Sequence, residues 1–292
     1  MARTLGDTGF EDAVWGNAGG DNHHARGVAL RWDVSGLKLT QLPEKLEFQR
    51  EDTNEKSAWY YNQAYAGRLK LTVTRRNISN EHWNLFLLAL RIQICHGTFG
   101  AKDQFGLGVL KASVLPRITP LNTQHKYEPS GFALNKCAFG TLQLKKDSRN
   151  LNADEPNFET LLRLSLLARI AMRTSLREPN TIQRDWTKIR HTMLGKLNES
   201  GSHVNVSAGY YLEDMDVIEL RLFVQLSLES SEERQDVMKR LSQALRKLPM
   251  DILNKPVKGW ILQPPTWEYG GSYGNQPKPA QCAKWLNKLA GI

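Results

Sequence analysis

The 292-residue chain is 40% hydrophobic and 24% charged, the composition of a folding globular protein, and its length suits two domains. It contains no run of about 18 uncharged apolar residues and no apolar core near its start, which argues against a membrane-spanning helix and a secretory signal. Lys and Arg number 39 against 30 Asp and Glu, a net charge of +9, so the surface is biased toward polyanions such as nucleic acid or an acidic lipid face.

Residues 1–26 are rich in Gly, Asp and Asn and read as an irregular arm. Val28, Leu30, Trp32 and Val34 then alternate with Arg31 and Asp33, the pattern of a half-buried strand. Residues 35–57 are polar and turn-rich and read as a long loop. Gly67–Arg76 alternates again, with Leu69, Leu71 and Val73 inward and Arg68, Lys70, Thr72, Thr74 and Arg76 outward. That outward set holds no acid, so this face is a cationic track.

Asn77 to Asn80 offer N-cap side chains for an apolar helix through Trp83, Phe86, Leu87, Leu90 and Ile94 that stops at Gly97. A glycine-rich loop follows, His96-Gly97-Thr98-Phe99-Gly100-Ala101-Lys102-Asp103-Gln104-Phe105-Gly106-Leu107-Gly108, and then a strand over Val109–Leu115 ended by Pro116. Residues 116–156 read as loop, and the boundary between halves is placed near residue 150. The second half opens with a helix over Phe158–Leu176, apolar at Leu162, Leu166 and Ile170, and a weaker one over Thr181–Leu197. Strands are expected over His203–Tyr211 and Met215–Leu228. Ser230 to Glu233 form a capping box for a helix reaching Leu248. A short strand over Val257–Leu262, an aromatic tail (Trp260, Trp267, Tyr269, Tyr273) and a closing helix complete the chain. Each half therefore reads strand, strand, helix, strand, an order close to a ferredoxin-like unit.

The glycine-rich loop is the main chemical signal. It follows a helix and precedes a strand, the reverse of the strand-to-helix order that Walker and Rossmann phosphate loops require. What remains is a backbone able to approach an anion closely, with Lys102 inside it and Lys111 beyond it. A connector of tight turns would read the same way. The second signal is Arg169, Arg173 and Arg177, spaced four apart on one helix face, which suits phosphate or simply a solvated face. The third is aromatic clustering at Trp59, Tyr60, Tyr61 and Tyr65 and again in the tail, which fits base stacking or ordinary core packing. His23-His24 with Asp21 reads as a solvated loop rather than a metal site. Cys95 reads as core. Cys95, Cys137 and Cys282 are widely separated, so they offer no disulfide framework or zinc spacing and suit a reducing cytoplasm. No cofactor or metal motif is present, and neither is expected.

On these residues the chain resembles the RAMP superfamily, the RNA-recognition-motif-like subunits of CRISPR effector complexes. The resemblance rests on Gly97 to Val109, on Glu11-Asp12-Ala13-Val14-Trp15-Gly16 ahead of the strand Val28–Val34, and on Ala66-Gly67-Arg68-Leu69-Lys70-Leu71. It covers roughly residues 10–115, with the second half similar only in element order. It implies an α+β fold of two ferredoxin-like (RRM-like) modules, the first lacking its leading strand and helix. The expected layout is an arm over 1–26, a module over 27–150 and a divergent module over 151–292. The resemblance also implies contact of Gly97, Gly100, Lys102, Gly106 and Gly108 with RNA backbone. Relatives that cut target RNA carry an aspartate after the missing first strand, and no position here corresponds to it. The expected function is a non-catalytic subunit of a type III effector in antiviral defence. It would bind guide and target RNA beside other RAMP subunits, with Lys111, Arg68, Lys70, Arg76, Arg169, Arg173 and Arg177 as further RNA contacts, and it would bind no membrane. A RAMP endoribonuclease and a structural adaptor that touches protein alone are the alternatives.

Overall fold

The computed structural model describes residues 9–16, 25–41, 47–49, 56–58, 63–97, 109–122, 136–149, 156–177, 185–195, 202–228, 230–248, 259–269 and 279–292. The fold is α+β, and the chain divides into two compact units: a smaller one of residues 9–83 with 157–159, and a larger one built chiefly of 84–156 and 160–292. The boundary expected near residue 150 falls inside the larger unit.

In the smaller unit the expected irregular arm contains a short helix, α1 (Phe10–Trp15). Phe10 and Val14 lie four apart and are both buried, while Glu11 and Asp12 suit the positive end of the helix. The Gly27 N–H donates to the Ala13 carbonyl at 3.1 Å, and a Cβ at Gly27 would collide with that oxygen. Val28 and Ile78 are the other buried apolar side chains among the described residues of this unit.

Within the stretch expected as a loop over 35–57, the described residues include strands. β1 (Val28–Asp33) pairs antiparallel with β6 (Lys70–Arg75), β2 (Leu37–Gln41) with β5 (Gln63–Gly67), and β3 (Glu47–Gln49) with β4 (Lys56–Ala58). The pairs are nested, so the smaller unit carries a two-stranded ribbon. Between the pairs Asp33–Lys70 and Leu37–Gly67 the outgoing strand has one more residue than the returning one, a bulge. The backbones cross closely there: a Cβ at Gly36 would sit 2.5 Å from the Arg68 carbonyl, one at Gly67 would strike the Gly36 carbonyl, and Gly67 has φ +129°. Val28 is buried as expected, whereas Leu30, Trp32 and Val34 are exposed.

In the larger unit, α2 (Asn80–His96, from Asn84 on) is followed by β7 (Cys137–Lys146), α3 (Phe158–Ser175), α4 (Trp186–Leu194), β8 (Val204–Val206), β9 (Tyr210–Leu212), β10 (Val217–Gln225), α5 (Ser231–Arg246), β11 (Trp260–Leu262), β12 (Thr266–Tyr269) and α6 (Pro279–Leu289). The sheet is antiparallel with order β11, β7, β10, β8; β12 also pairs with β7, and β9 with β10. From β7 to β12 the elements run β-α-α-β-β-β-α-β-β; because β8 and β9 pair with successive stretches of β10, and β11 and β12 with successive stretches of β7, this reduces to β-α-β-β-α-β with α3 and α4 in the first helical crossing.

β7 is central, although residues 116–156 read as loop. Gly140 in its middle imitates a turn signal, but the space above it is filled: a Cβ there would lie 2.5 Å from the Trp267 ring, and the Trp267 indole donates to Ser242 Oγ at 3.0 Å. One face of the sheet carries Ala138, Leu142, Leu144, Ile218, Leu220, Leu222 and Val224, in one cluster with Leu164, Ala168 and Met172 of α3, Ile189 and Met193 of α4, and Val237, Leu241 and Leu245 of α5. On the other face Phe139 stands 5.0 Å from Phe223, 6.0 Å from Trp285 of α6 and 5.7 Å from His96 of α2. Both faces are thus covered by helices. On α3, Leu162 is buried as expected and Leu166 is half-buried, but Ile170 is exposed, and the stripe Leu164, Ala168 and Met172 is fully buried. Asp185 caps α4, accepting from the Lys188 N–H at 2.9 Å, and Ser230 caps α5 as expected.

Candidate nucleic-acid interface

The glycine-rich loop leaves α2 through Gly97, whose N–H donates to the Gln93 carbonyl at 2.9 Å. Gly100, Lys102, Gly106 and Gly108 lie outside the described residues, as do Asp21, His23, His24, Trp59, Tyr60 and Tyr61. The chain resumes at Val109 and Leu110. The strand expected over Val109–Leu115 does not form: this stretch is irregular, and Val114 is exposed. Side chains, not a neighbouring strand, take backbone groups of Leu110 and of residues 116–121 just after the stretch. Leu110 O accepts from Arg221 at 3.3 Å and Pro116 O from Arg91 at 3.2 Å. The amide of Asn84 exchanges two hydrogen bonds with Thr119, both 2.7 Å, and that of Asn287 does the same with Leu121 at 2.8 and 3.1 Å. Pro116 and Pro120 supply no N–H, which suits a segment held this way. Lys111 is exposed and stands 3.5 Å from the equally exposed Asp214, a pair that solvent screens strongly.

Both described ends of the glycine-rich segment converge on one side chain. Arg221, in β10, is buried. Its Nη1 donates to the carbonyls of Ile94 (2.6 Å) and Gly97 (3.1 Å), and its Nη2 to that of Leu110. Its Nε donates to the Tyr210 hydroxyl at 3.1 Å, and its guanidinium lies 5.1 Å from the Tyr210 ring centre. The Tyr210 hydroxyl donates in turn to Glu219, whose other oxygen accepts from Gln143 Nε2 at 2.7 Å. The phenol thus links the guanidinium to a carboxylate, which offsets the cost of burying the charge. Burial, above all, pushes the Tyr210 hydroxyl well above its usual range, so it stays protonated and able to donate. His96, at the end of α2, places Nε2 2.8 Å from the Leu289 carbonyl, and burial holds its pKa below the ordinary value. A histidine held in this way suits packing better than proton transfer to RNA.

The cationic strand is in place: Arg68, Lys70, Thr72, Thr74 and Arg76 are all exposed, while Leu69, Leu71 and Val73 are half-buried. The acid that the strand lacks stands on its neighbour, where Asp33 lies opposite Lys70. Hydrogen bonds from Ser35, chiefly, hold the Asp33 carboxyl below its usual range. On α3, Arg169 Nη2 donates to Val206 O at 3.0 Å and Arg173 Nη2 to Leu194 O at 2.9 Å, while Arg177 is exposed. Arg173 thereby caps the carbonyl end of α4. In the tail, Trp260 is buried and Trp267 and Tyr269 are half-buried against the core; Tyr65 is exposed.

Sequence reasoning missed Arg221, which lies inside the strand expected over Met215–Leu228 and is not among the expected site residues. A signal was present in Phe223, an apolar residue on the same face as Glu219, Arg221 and Gln225, which suits a strand covered on both sides. Among the described residues no group of three or more His, Cys, Asp or Glu could hold a metal ion, and no helix is long and apolar enough to cross a membrane. No known family model matches this sequence, and comparison with curated proteins finds no match either.

Proposed function

We propose that this chain is a non-catalytic, RNA-binding subunit of a type III CRISPR ribonucleoprotein effector, binding guide RNA and target RNA beside other RAMP subunits in cytoplasmic antiviral defence. The observation that carries the reading is the β-α-β-β-α-β order of residues 137–269 on an antiparallel sheet. With β8 and β9 counted as one broken strand along β10, and β11 and β12 as one along β7, the strands lie in the order fourth, first, third, second, which supports a ferredoxin-like (RRM-like) reading of this sheet. The glycine-rich segment is tied to the third of these strands through Arg221. In this reading Gly97, Gly100, Lys102, Gly106 and Gly108 contact phosphates and 2′-hydroxyls, with Lys111 beside them. Arg68, Lys70 and Arg76 add a second cationic surface, and Arg169, Arg173 and Arg177 a third. The chain holds RNA by its backbone, and base pairing within the RNA reads sequence.

The test is fluorescence anisotropy of the full chain with a labelled single-stranded RNA, across salt from about 50 to 200 mM. Affinity should fall steeply with salt. The triple variant R68Q/K70Q/R76Q should weaken binding and lower the log–log salt slope by about 2, at roughly 0.7 per phosphate contact for single strands. A wild-type chain with no RNA affinity even at low salt overturns the reading in favour of the adaptor.

A further inference from the structure

We propose that Arg221 is the positioning residue of this site, because it cancels the negative end of α2 where the glycine-rich segment begins; the consequence for RNA rests on the reading above. A segment that follows a helix leaves from the carbonyl end, where unpaired C=O groups carry partial negative charge. That is the wrong end for a phosphate. Here the carbonyl of Ile94, in the last turn of α2, and that of Gly97, the residue just after it, do not face outward. Both are taken up by a buried guanidinium, at 2.6 and 3.1 Å. The same guanidinium takes the Leu110 carbonyl at 3.3 Å, so one rigid fork fixes the point where the segment leaves α2 and a point just after it returns. Fixing both ends before binding removes ordering entropy that a ligand would otherwise have to offset.

The charge is itself held from behind by the Tyr210 hydroxyl, which donates onward to Glu219, so its place is set by β9 and β10 rather than by any ligand. His96, also on this face, adds no competing cation, since burial favours its neutral form. Arg221 needs no RNA contact of its own for this role. It makes an otherwise repulsive helix end tolerate an anion.

The experiment compares full-length wild type with Arg221→Gln, Arg221→Lys, Tyr210→Phe and Leu144→Ala. Leu144→Ala removes buried apolar surface elsewhere in the same core and serves as a control for lost stability. Two quantities are read: RNA affinity by anisotropy, and amide exchange over residues 95–97 and 109–112 together with tryptic cleavage at Lys111. Arg221→Gln is expected to weaken RNA binding roughly tenfold, to speed exchange at both ends of the segment and to speed cleavage at Lys111. Arg221→Lys keeps the charge without the fork, so it should recover much of the affinity and little of the protection. Tyr210→Phe keeps volume while releasing Nε; it should show the same defects in smaller measure, and it decides the matter if Arg221→Gln does not fold. Leu144→Ala should leave affinity per folded molecule unchanged. If wild type binds RNA and Arg221→Gln, or Tyr210→Phe in its stead, binds equally well, the role of Arg221 is refuted while the RNA reading stands. If wild type binds no RNA, the RNA reading falls and the role falls with it.

Discussion

His96 shows how one side chain turns packing into pH dependence. Its ring lies 5.7 Å from Phe139, with Nε2 against the Leu289 carbonyl. Burial lowers its pKa most; the Leu289 hydrogen bond opposes the shift, Arg221 adds to it, and Glu219 and Glu268 oppose it more weakly. The folded chain therefore prefers the neutral ring, while the unfolded chain takes up a proton near the ordinary value of about 6.5. Between those two values the unfolded state binds more protons, so stability falls as pH drops below about 6.5 and the loss is complete once pH passes the folded pKa. Urea unfolding of wild type and His96→Gln at several pH values checks this: the wild-type loss on acidification should exceed that of the variant. Parallel curves would show that His96 pays no protonation penalty. Cys137 is shifted by the same cause, burial raising its thiol to about 12, so it stays protonated and acts as a small apolar residue of β7.

At the scale of the element, the ribbon depends on two glycines. Gly67 has φ +129°, and a Cβ there would strike the Gly36 carbonyl; a Cβ at Gly36 would press on the Arg68 carbonyl at 2.5 Å. Gly67→Ala therefore meets both a disfavoured backbone region and a clash, at a cost on the order of 1–3 kcal/mol. The expected result is faster amide exchange across β2 and β5 with β7 and β10 unchanged; full protection of β2 and β5 in the variant would refute the crossing. This element was hidden in the sequence for a physical reason. In β2, Leu37 and Leu39 alternate with Lys38 and Thr40, but Lys38, Leu39, Thr40 and Gln41 are all exposed and Leu37 is half-buried, so burial does not extend the period of two into a recognisable strand. β7 was hidden differently: Pro116, Pro120, Pro129 and Pro156 make residues 116–156 read as loop, and Gly140 within the strand is accounted for only by Trp267, over a hundred residues on, which fills the space above it. The failed strand at Val109–Leu115 shows the reverse, apolar residues that pattern alone cannot place because Arg221 rather than a strand takes the Leu110 carbonyl. Where burial is one-sided and local the pattern was legible, as in α5 with its Ser230 cap and in the outward set Arg68, Lys70 and Arg76; α2 was legible as a helix, but of the stripe Trp83, Phe86, Leu87, Leu90 and Ile94 only Phe86 is buried, beside Leu85, Leu88 and Ile92. In the candidate site the loop's entry at Gly97 was legible and its anchor Arg221 was not, because long-range hydrogen bonding leaves no local period.

At the scale of the whole molecule, the two units are built on different energetic terms. The cluster formed by β7 and β10 with α3, α4 and α5 lies wholly in the larger unit, and Leu142, Leu144, Leu164, Met172, Ile218 and Leu220 are among its fully buried members. Removing such a side chain, as in Leu220→Ala, typically costs 2–5 kcal/mol. In the smaller unit the buried apolar residues among those described are Phe10, Val14, Val28 and Ile78, while Leu30, Trp32, Val34, Leu39 and Tyr65 of the ribbon region are exposed. A two-stranded ribbon with so little burial is held mainly by its ladder hydrogen bonds, each worth about 1 kcal/mol net. The two units should therefore open at different free energies. Native-state hydrogen exchange should find the amides of β7 and β10 exchanging only through global unfolding, and those of β1, β2, β5 and β6 exchanging by local opening about a thousandfold faster or more. Leu220→Ala should raise the exchange rates of β7 and β10 and leave those of the ribbon almost unmoved, because local opening does not draw on the core. If the ribbon were as protected as β10 and responded equally to Leu220→Ala, the chain would unfold as one cooperative unit, and the division between a core-bearing body and a ladder-bearing one would not hold in solution.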